Sequence, residues 1–314
     1  MSGKLLLIVL FAACLCAACE ARTHREPFSL RVPFNSSDVE VMNAQLFTRA
    51  ASLSAQPSNV KPSGVLKVTY SGAQPGQYLG LLKGSMINPG VQLTQSAGET
   101  FFSVSSFSSG TTLQLVLYDF AANKFAAPSK TITVSNSGGT FTVPPATPTL
   151  ATSQQRQGWL AEHNTRRPAN KQLVWASQLA QSSANQAAYL ANQPGCGLVH
   201  SSGVGENLAV GQNNLAEVVE DWWDDEVPCY NAATKACKAN CVCGHYTQAA
   251  WYSTEQIGCA QATCSQPASP YFNRDLFVCH YVRPGNCNGK DFTQTNSPCG
   301  PLSADGVTPS NWPN

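Results

Sequence analysis

Histidine is scarce in this chain of 314 residues, and four of its five histidines lie in the half that carries the other candidates for chemistry. His163 and His245 lie among small polar residues. Glu206 stands in a Gly-Glu-Asn sequence typical of a tight turn, and Glu226 follows Trp222 at the spacing of one helical turn. Imidazoles can bind a divalent metal, and a nearby carboxylate can orient an imidazole or serve as a general base. These polar residues therefore indicate a metal-binding or hydrolytic site.

Several common catalytic and binding signatures are missing from the sequence. It contains no H-E-x-x-H motif and no serine flanked as in a nucleophile elbow. The net charge is +1 and no basic run of five or more residues occurs, which disfavours a general nucleic-acid binder. Because 43% of the residues are hydrophobic and only 12% are charged, the composition also excludes a wholly disordered chain.

The cysteines divide the chain into two halves with different means of stabilisation. Three of the thirteen lie within residues 1–21, where Lys4 and the apolar run 5–13 are typical of a secretory signal peptide. The other ten all lie beyond residue 195, namely Cys196, Cys229, Cys237, Cys241, Cys243, Cys259, Cys264, Cys279, Cys287 and Cys299. Secretion leads to an oxidising compartment, so we expect five disulfides, no free thiol nucleophile and an extracellular location.

The two ends of the chain are polar. Residues 22–58 form a polar lead segment in which Asn35 begins an N-glycosylation sequon, and residues 301–314 form a polar tail. No stretch after the signal peptide has the roughly 20 apolar residues that a membrane span needs. We therefore expect a glycoprotein without a transmembrane segment.

The first half of the mature chain has the pattern of β-strands. Residues 59–135 alternate polar and apolar side chains, most clearly at residues 65–70, 112–118 and 131–134. Glycine, proline, serine and asparagine separate these runs, which predicts an antiparallel β-sandwich that has no disulfides. Residues 136–153 are rich in glycine and serine and then in proline and threonine, as in an extended, semi-rigid linker.

After the linker the apolar residues take helical spacing. Helices are predicted at residues 154–165, 177–192 and 214–226, and strands at residues 256–260 and 275–282. One face of the second helix carries Leu179, Ser183, Ala187 and Leu190. These helices and strands must position the polar candidates, and their alternation predicts a layered α/β domain over residues 154–300.

Four motifs in this half, in order, resemble the CAP superfamily of cysteine-rich secretory proteins, insect venom antigen 5 and plant pathogenesis-related class 1 proteins. They are the start of an H-N-x-x-R opening at residues 163–166, a G-E-N turn at residues 205–207, a G-H-Y-T-Q-x-x-W signature at residues 244–251 and a second signature at residues 276–286. The resemblance implies an α+β chain, in which a CAP-like α-β-α sandwich with a central cleft follows the all-β antiparallel sandwich.

The resemblance also implies a cleft tetrad formed by His163, Glu206, Glu226 and His245. Two imidazoles are too few for a structural zinc site, so His163 and His245 would bind zinc weakly, with water completing an open site. The alternative interpretation is a hydrogen-bonded network that fixes the cleft without metal. We expect no catalytic residue, no required cofactor and no enzymatic activity, with a metal-dependent hydrolase as the less favoured reading.

Two further histidines have other interpretations. His200 is a possible additional ligand, but packing or capping of the loop beside Cys196 is favoured. His280 lies in the second signature at a position where the family tolerates several polar residue types, so we interpret it as structural.

The disulfide pairing follows only from the resemblance, because ten cysteines can pair in many ways. Similarity to plant class 1 members implies three bridges, Cys196–Cys259, Cys237–Cys243 and Cys264–Cys279. Proximity of the remaining four cysteines then implies Cys229–Cys241 and Cys287–Cys299.

The resemblance implies an extracellular function of binding small lipids, either sterol or fatty acid, with a defence or host-interaction role. In the family, sterol binding is linked to the loop before the G-H-Y-T-Q signature, here residues 227–242, whose one aromatic residue is Tyr230. This loop is poorer in aromatic residues and richer in cysteine than the flexible, sterol-binding version. The competing hypothesis is an interaction protein whose β-sandwich anchors the CAP domain to cell-wall polysaccharide or an extracellular protein.

Overall fold

The computed structural model describes residues 30–31, 51–93, 95–122, 124–127, 129–201, 204–287 and 291–293. The predicted signal peptide, the sequon at Asn35 and the polar tail 301–314 lie outside the described residues. No helix among the described residues is long and apolar enough to cross a membrane.

The described elements fall into two blocks: strands β1 to β10 form the first, and helices and strands together form the second. The strands are β1 (Leu30–Arg31), β2 (Ser52–Gln56), β3 (Asn59–Val60), β4 (Val65–Ser71), β5 (Tyr78–Lys83), β6 (Met86–Gln92), β7 (Ala97–Ser103), β8 (Thr112–Asp119), β9 (Lys124–Phe125), β10 (Lys130–Val134), β11 (Val174–Trp175), β12 (Gly205–Val210), β13 (Tyr230–Asn231), β14 (Ala236–Cys237), β15 (Gln256–Thr263) and β16 (Asp275–Val282). The α-helices are α1 (Ser153–Asn164), α2 (Ser177–Ala191), α3 (Leu215–Val219) and α4 (Gly244–Ala249). A π-helix (Glu220–Asp224) continues α3.

The first block consists of two sheets that share one apolar core. A seven-stranded sheet has the order β1-β6-β5-β8-β10-β3, with β9 paired to β8, and a three-stranded sheet has the order β2-β4-β7. Leu66 and Val68 of the small sheet pack with Leu79, Leu115 and Leu117 of the large one. Burial of these alternating side chains stabilises the block, which contains no cysteine.

The first block begins earlier in the chain than the predicted boundary at residue 59. Strand β2 lies inside the predicted polar lead segment and pairs with β4 along its whole length. Its sequence alternates, because Leu53 is buried while Ser52 and Ser54 face solvent. An alternating pattern of only five residues was too short to predict a strand within a segment that is otherwise polar.

The segment predicted as a linker, residues 136–153, is bound to both blocks. The Phe141 backbone N–H donates to the Val65 carbonyl 2.9 Å away. Ala146 exchanges two hydrogen bonds with the Asn192 side chain, at 2.9 and 2.8 Å. At Leu150 the segment forms an isolated bridge with β15. At Phe141, Ala146 and Leu150 the segment is therefore held against the surfaces of the two blocks.

The second block is a four-stranded sheet covered by helices on both faces. The strand order is β11-β15-β16-β12. Alternate residues of β16 point to opposite faces, so that Leu276 and Val278 meet α2 while Phe277 and Tyr281 meet the cluster that contains Trp159 of α1. This arrangement is the predicted α-β-α sandwich. The face of α2 predicted from spacing is the buried one.

Two of the predicted disulfides are wrong, because the sheet register brings different cysteines together. Cys259 and Cys279 lie directly opposite each other on β15 and β16 and are bonded, with their Cα atoms 4.1 Å apart. Cys264 follows the end of β15 and is bonded to Cys196, which lies in a 3-10 turn five residues after the end of α2, with a Cα separation of 5.9 Å. The predicted bridges Cys196–Cys259 and Cys264–Cys279 do not form.

The loop that precedes α4 contains the bridges Cys229–Cys241 and Cys237–Cys243, as predicted. Cys287 is also disulfide-bonded. Its predicted partner, Cys299, lies outside the described residues, so that pairing stays a prediction.

Candidate cleft site

His245 and Glu226 form the first of two imidazole–carboxylate pairs. Nδ1 of His245 lies 2.6 Å from Oε1 of Glu226, and the backbone N–H of Tyr246 donates to Oε2 at 3.0 Å. Glu226 follows the π-helix and His245 lies in the first turn of α4, directly after the bridged Cys243. The ring of Trp222 lies nearly parallel to the imidazole at a centroid distance of 6.0 Å. The helical spacing of Trp222 and Glu226 therefore places both against one histidine.

His200 and Glu206 form the second pair. Nδ1 of His200 lies 2.8 Å from Oε1 of Glu206, whose carboxylate also accepts hydrogen bonds from the backbone and hydroxyl of Ser201. On its other side, Nε2 of His280 lies 2.8 Å from Oε2. The Glu206 side chain is only 1% exposed, whereas the His200 side chain is 62% exposed. The carboxylate is thus buried behind an imidazole that faces solvent.

The Glu206 carboxylate is ionised at neutral pH. Burial alone would raise the pKa of Glu206, but the hydrogen bonds from His200, His280 and Ser201 outweigh it and lower this pKa to about 2. A carboxylate of such low pKa is a weak base. Its geometry suits it to fixing the orientation of the His200 ring.

Strand β12 connects the two pairs. It carries Glu206 and then Asn207, whose side-chain amide donates to the backbone carbonyl of His245 at 3.0 Å. The exposed His200 and the half-buried His245 each use Nδ1 on the carboxylate, and among the described residues no partner occurs for Nε2 of either ring. We call His200, Glu206, Glu226 and His245 the cleft tetrad.

His163 is wrongly placed in the predicted tetrad. It is fully buried, with Nδ1 donating to the Trp159 carbonyl at 2.9 Å and Nε2 accepting from the Tyr281 hydroxyl at 3.0 Å. Burial, with a smaller contribution from the charges of Arg167 and Arg166, lowers the pKa of His163 to about 4. Because both ring nitrogens are bonded inside the core, His163 cannot be a ligand of the predicted metal.

His200 takes the place predicted for His163. The preferred interpretation of His200 as a loop-packing residue missed its role, although its position six residues before Glu206 on the same segment was a usable signal. The interpretation of His280 as structural agrees with the geometry, since it is 3% exposed and bridges Glu206 to the Ser182 hydroxyl, 2.6 Å from its Nδ1.

Tyr230 is part of an aromatic cluster. Its ring packs edge-on against Phe292 at 4.9 Å and Tyr246 at 6.0 Å. The exposed apolar side chains closest in sequence to the tetrad are other residues, two of which end the loop 227–242. We call the following four residues the apolar rim: Leu198, Val199, Val227 and Val242, with exposures of 43%, 65%, 41% and 49%. Each lies within three residues of a tetrad member.

The described residues contain no group of three or more histidine, cysteine, aspartate or glutamate side chains arranged to bind a metal ion. Nε2 of His200 and Nε2 of His245 are the tetrad atoms that could act as metal ligands, because Nδ1 of each ring is bonded to a carboxylate. Such a pair fits a weak, open site and does not fit a structural one, which takes four protein ligands.

Comparison with known proteins finds similarity in the second block, which contains the cleft tetrad. The family model for the cysteine-rich secretory protein family, CAP, matches residues 160–281. Pathogenesis-related protein 1A of Nicotiana tabacum is 37% identical over 141 residues, which cover 43% of this chain and 79% of that protein. Pathogenesis-related protein PRMS of Zea mays is 37% identical over 145 residues, which cover 42% of this chain and 79% of that protein. The solved structure of Schistosoma mansoni venom allergen-like protein 4 is 25% identical and covers 43% of this chain and 91% of its own, with a TM-score of 0.33. The chain belongs to the cysteine-rich secretory protein (CAP) family.

Proposed function

We propose that this protein is a secreted, non-enzymatic binding protein that takes up one small lipid, a sterol or a fatty acid, at the cleft tetrad. The observation that carries the proposal is that the exposed apolar rim residues are near neighbours in sequence of the tetrad, whose His200 and His245 imidazoles have no Nε2 partner among the described residues. A lipid would place its hydroxyl or carboxylate against the Nε2 atoms of His200 and His245. Its hydrocarbon part would cover the rim, removing apolar surface from water.

The state of the two carboxylates favours binding over catalysis. Glu226 accepts hydrogen bonds from His245 and Tyr246, and Glu206 accepts them from three side chains and a backbone amide. A general base must be free to take a proton and works best with a pKa near the operating pH. Glu206, with its low pKa, and Glu226, with its two hydrogen bonds, are therefore both poorly suited to act as a general base.

Zinc is a proposed optional ligand of the same cleft. His200 and His245 would bind it through Nε2, with water completing the coordination, and the carboxylates would hold the rings in orientation. When bound, zinc would add a positive charge that attracts an anionic head group such as a fatty-acid carboxylate.

Secretion and a role in defence are supported by two observations. Disulfides persist mainly in oxidising compartments, and the second block contains four described bridges. The relatives that share 37% of their aligned residues are named pathogenesis-related proteins.

Equilibrium titration of the secreted, oxidised protein with labelled cholesterol and labelled palmitate tests the proposal. We expect saturable binding of at least one lipid, with Val199→Ser and Leu198→Ser each weakening it about fivefold because apolar contact is lost. Val174→Ser is the matched control, since Val174 is 58% exposed and lies on β11, outside the rim. Binding of neither lipid, or an equal effect of all three substitutions, would contradict the proposal.

A further inference from the structure

A cavity of about 570 Å³ lies where the first block, the connecting segment and the second block meet. Glu99 and Phe101 of β7 form one wall, residues 143–147 and 149–152 another, and Gln261 of β15 and Asp275 of β16 a third. No member of the cleft tetrad lines it. Its volume falls in the range of small-molecule sites, roughly 300–1,000 Å³.

The floor of this junction cavity is a chain of oriented polar side chains. Gln155 accepts from the Thr152 backbone at 2.8 Å and donates to Gln261 at 3.3 Å. Gln261 donates to Asp275 at 3.1 Å, and the Thr263 hydroxyl donates to the same carboxylate at 2.9 Å. Each amide nitrogen has used one of its two N–H groups in this chain, so a second remains for a ligand.

The charges around the junction cavity favour a neutral ligand. Its lining contains no lysine, arginine or histidine among the described residues, which disfavours an anion. One of its two carboxylates, Glu99, is paired with Lys67 at 2.7 Å. The other, Asp275, has its pKa raised by burial and already accepts two hydrogen bonds. Both carboxylates are therefore already bound by protein groups, which disfavours a cation.

The walls add flat apolar surfaces to the polar floor. Phe101 packs against Phe141 at a centroid distance of 5.6 Å, and Phe272, Pro144 and Pro145 also line the cavity. Amide, hydroxyl and carboxylate groups opposite aromatic faces are the chemistry that recognises a sugar ring, whose hydroxyls bond outward while its C–H face packs on an aromatic ring.

We propose that the junction cavity binds a neutral oligosaccharide, at a site separate from the lipid cleft. The amide chain from Gln155 to Asp275 would bond the hydroxyls, and Phe101 and Phe272 would pack on the ring faces. Asn273 donates to the Thr100 hydroxyl across the junction, which holds both blocks around the ligand. The saccharide contact of this protein thus lies between the two blocks.

The test is isothermal titration of the full secreted chain with chitotetraose and cellotetraose. We expect saturable binding of at least one. Gln261→Leu keeps the side-chain size and removes the hydrogen bonds, so it should weaken binding at least threefold. Thr149→Trp should weaken it at least tenfold, because this exposed residue lines the cavity and a larger ring there fills it. Tyr189→Ala, which removes an exposed aromatic side chain outside the cavity, should have no effect.

Each opposing result overturns the proposal. Absence of binding to both tetrasaccharides rejects the ligand class, and undiminished binding by both Gln261→Leu and Thr149→Trp rejects the location. Binding of spermidine in place of the sugars, lost in Asp275→Asn, would make the cavity a cation site instead. Val199→Ser should leave sugar binding unchanged, which separates failure of this proposal from failure of lipid binding at the cleft.

Discussion

The hydroxyl of Tyr281 donates a hydrogen bond to Nε2 of His163 over 3.0 Å, and both residues are fully buried. The same hydroxyl accepts a longer hydrogen bond, 3.4 Å, from the Asn207 amide, which also donates to the His245 carbonyl. His163 therefore lies one layer beneath the cleft and supports its floor through Tyr281 and Asn207. This contact separates a supporting histidine from the two that face solvent.

Substitution of the three histidines should separate these two roles. His200→Ala and His245→Ala should each reduce zinc affinity at least tenfold in calorimetric titration, because each removes one of two ligands. His163→Ala should leave zinc affinity within about twofold but lower the free energy of unfolding by about 2–4 kcal/mol, since it opens a cavity and leaves buried partners unsatisfied. A loss of zinc binding in His163→Ala with an unchanged free energy of unfolding would reverse the assignment.

The stability of the second block should fall in two steps as the pH is lowered. The unfolded chain protonates His163 near pH 6.5, whereas the folded chain does so only near pH 4, so the stability contributed by neutral His163 is lost between these values. This shift corresponds to about 3 kcal/mol. Glu206 binds its proton near pH 4.5 when unfolded and near pH 2 when folded, so its contribution is lost only below pH 4.5.

Urea unfolding at pH 7.0 and pH 5.0 would measure the first step. In His163→Gln the difference between these two pH values should shrink, because no titrating group remains at that position, while the loss below pH 4.5 should stay. If the free energy of unfolding changed by the same amount between pH 7.0 and pH 5.0 in the wild-type protein and in this variant, His163 would not be held neutral by burial.

The four described disulfides should differ in the stability that they contribute. The chain-entropy relation gives about 4 kcal/mol for the bridge Cys196–Cys264, whose cysteines are 68 residues apart, and about 2 kcal/mol for Cys237–Cys243, which are 6 apart. Replacing both cysteines of a bridge by alanine should therefore lower the free energy of unfolding, measured with denaturant, more for Cys196–Cys264 than for Cys237–Cys243. Peptide mapping of the unreduced protein should yield a peptide pair joined through Cys196 and Cys264, and a pair joined through Cys196 and Cys259 would refute the register described above.

Local periodicity predicted helices α1 and α2, the helical segment of α3 and strands β15 and β16, and motif order predicted the fold of the second block. The Gly-Glu-Asn sequence at residues 205–207, which we expected to form a tight turn, instead begins strand β12. The buried face of α2 follows directly from the spacing of Leu179, Ser183 and Leu190. The partners of His163 and of Cys259 could not be predicted in this way. Tyr281 lies 118 residues from His163 in sequence, and Cys279 meets Cys259 only through the register of two strands. Spacing along the chain carries no information on which buried surface a side chain meets.

Gly258, in the four-stranded sheet, should tolerate substitution by a larger residue poorly. A Cβ atom at this position of β15 would lie 2.1 Å from the backbone nitrogen of Ala180 and 2.5 Å from the carbonyl carbon of Leu179, so α2 would have to move away from the sheet. Ser183 of the same helix donates to the Gly258 carbonyl at 2.7 Å and would lose that bond. Gly258→Ala should therefore lower the free energy of unfolding by more than about 3 kcal/mol or prevent secretion. Gly197→Ala is the matched control, because a Cβ there meets no atom within 4 Å and should change the free energy of unfolding by less than about 1 kcal/mol. Equal stability of the two variants, measured by urea unfolding, would show that α2 does not pack on β15 at this distance.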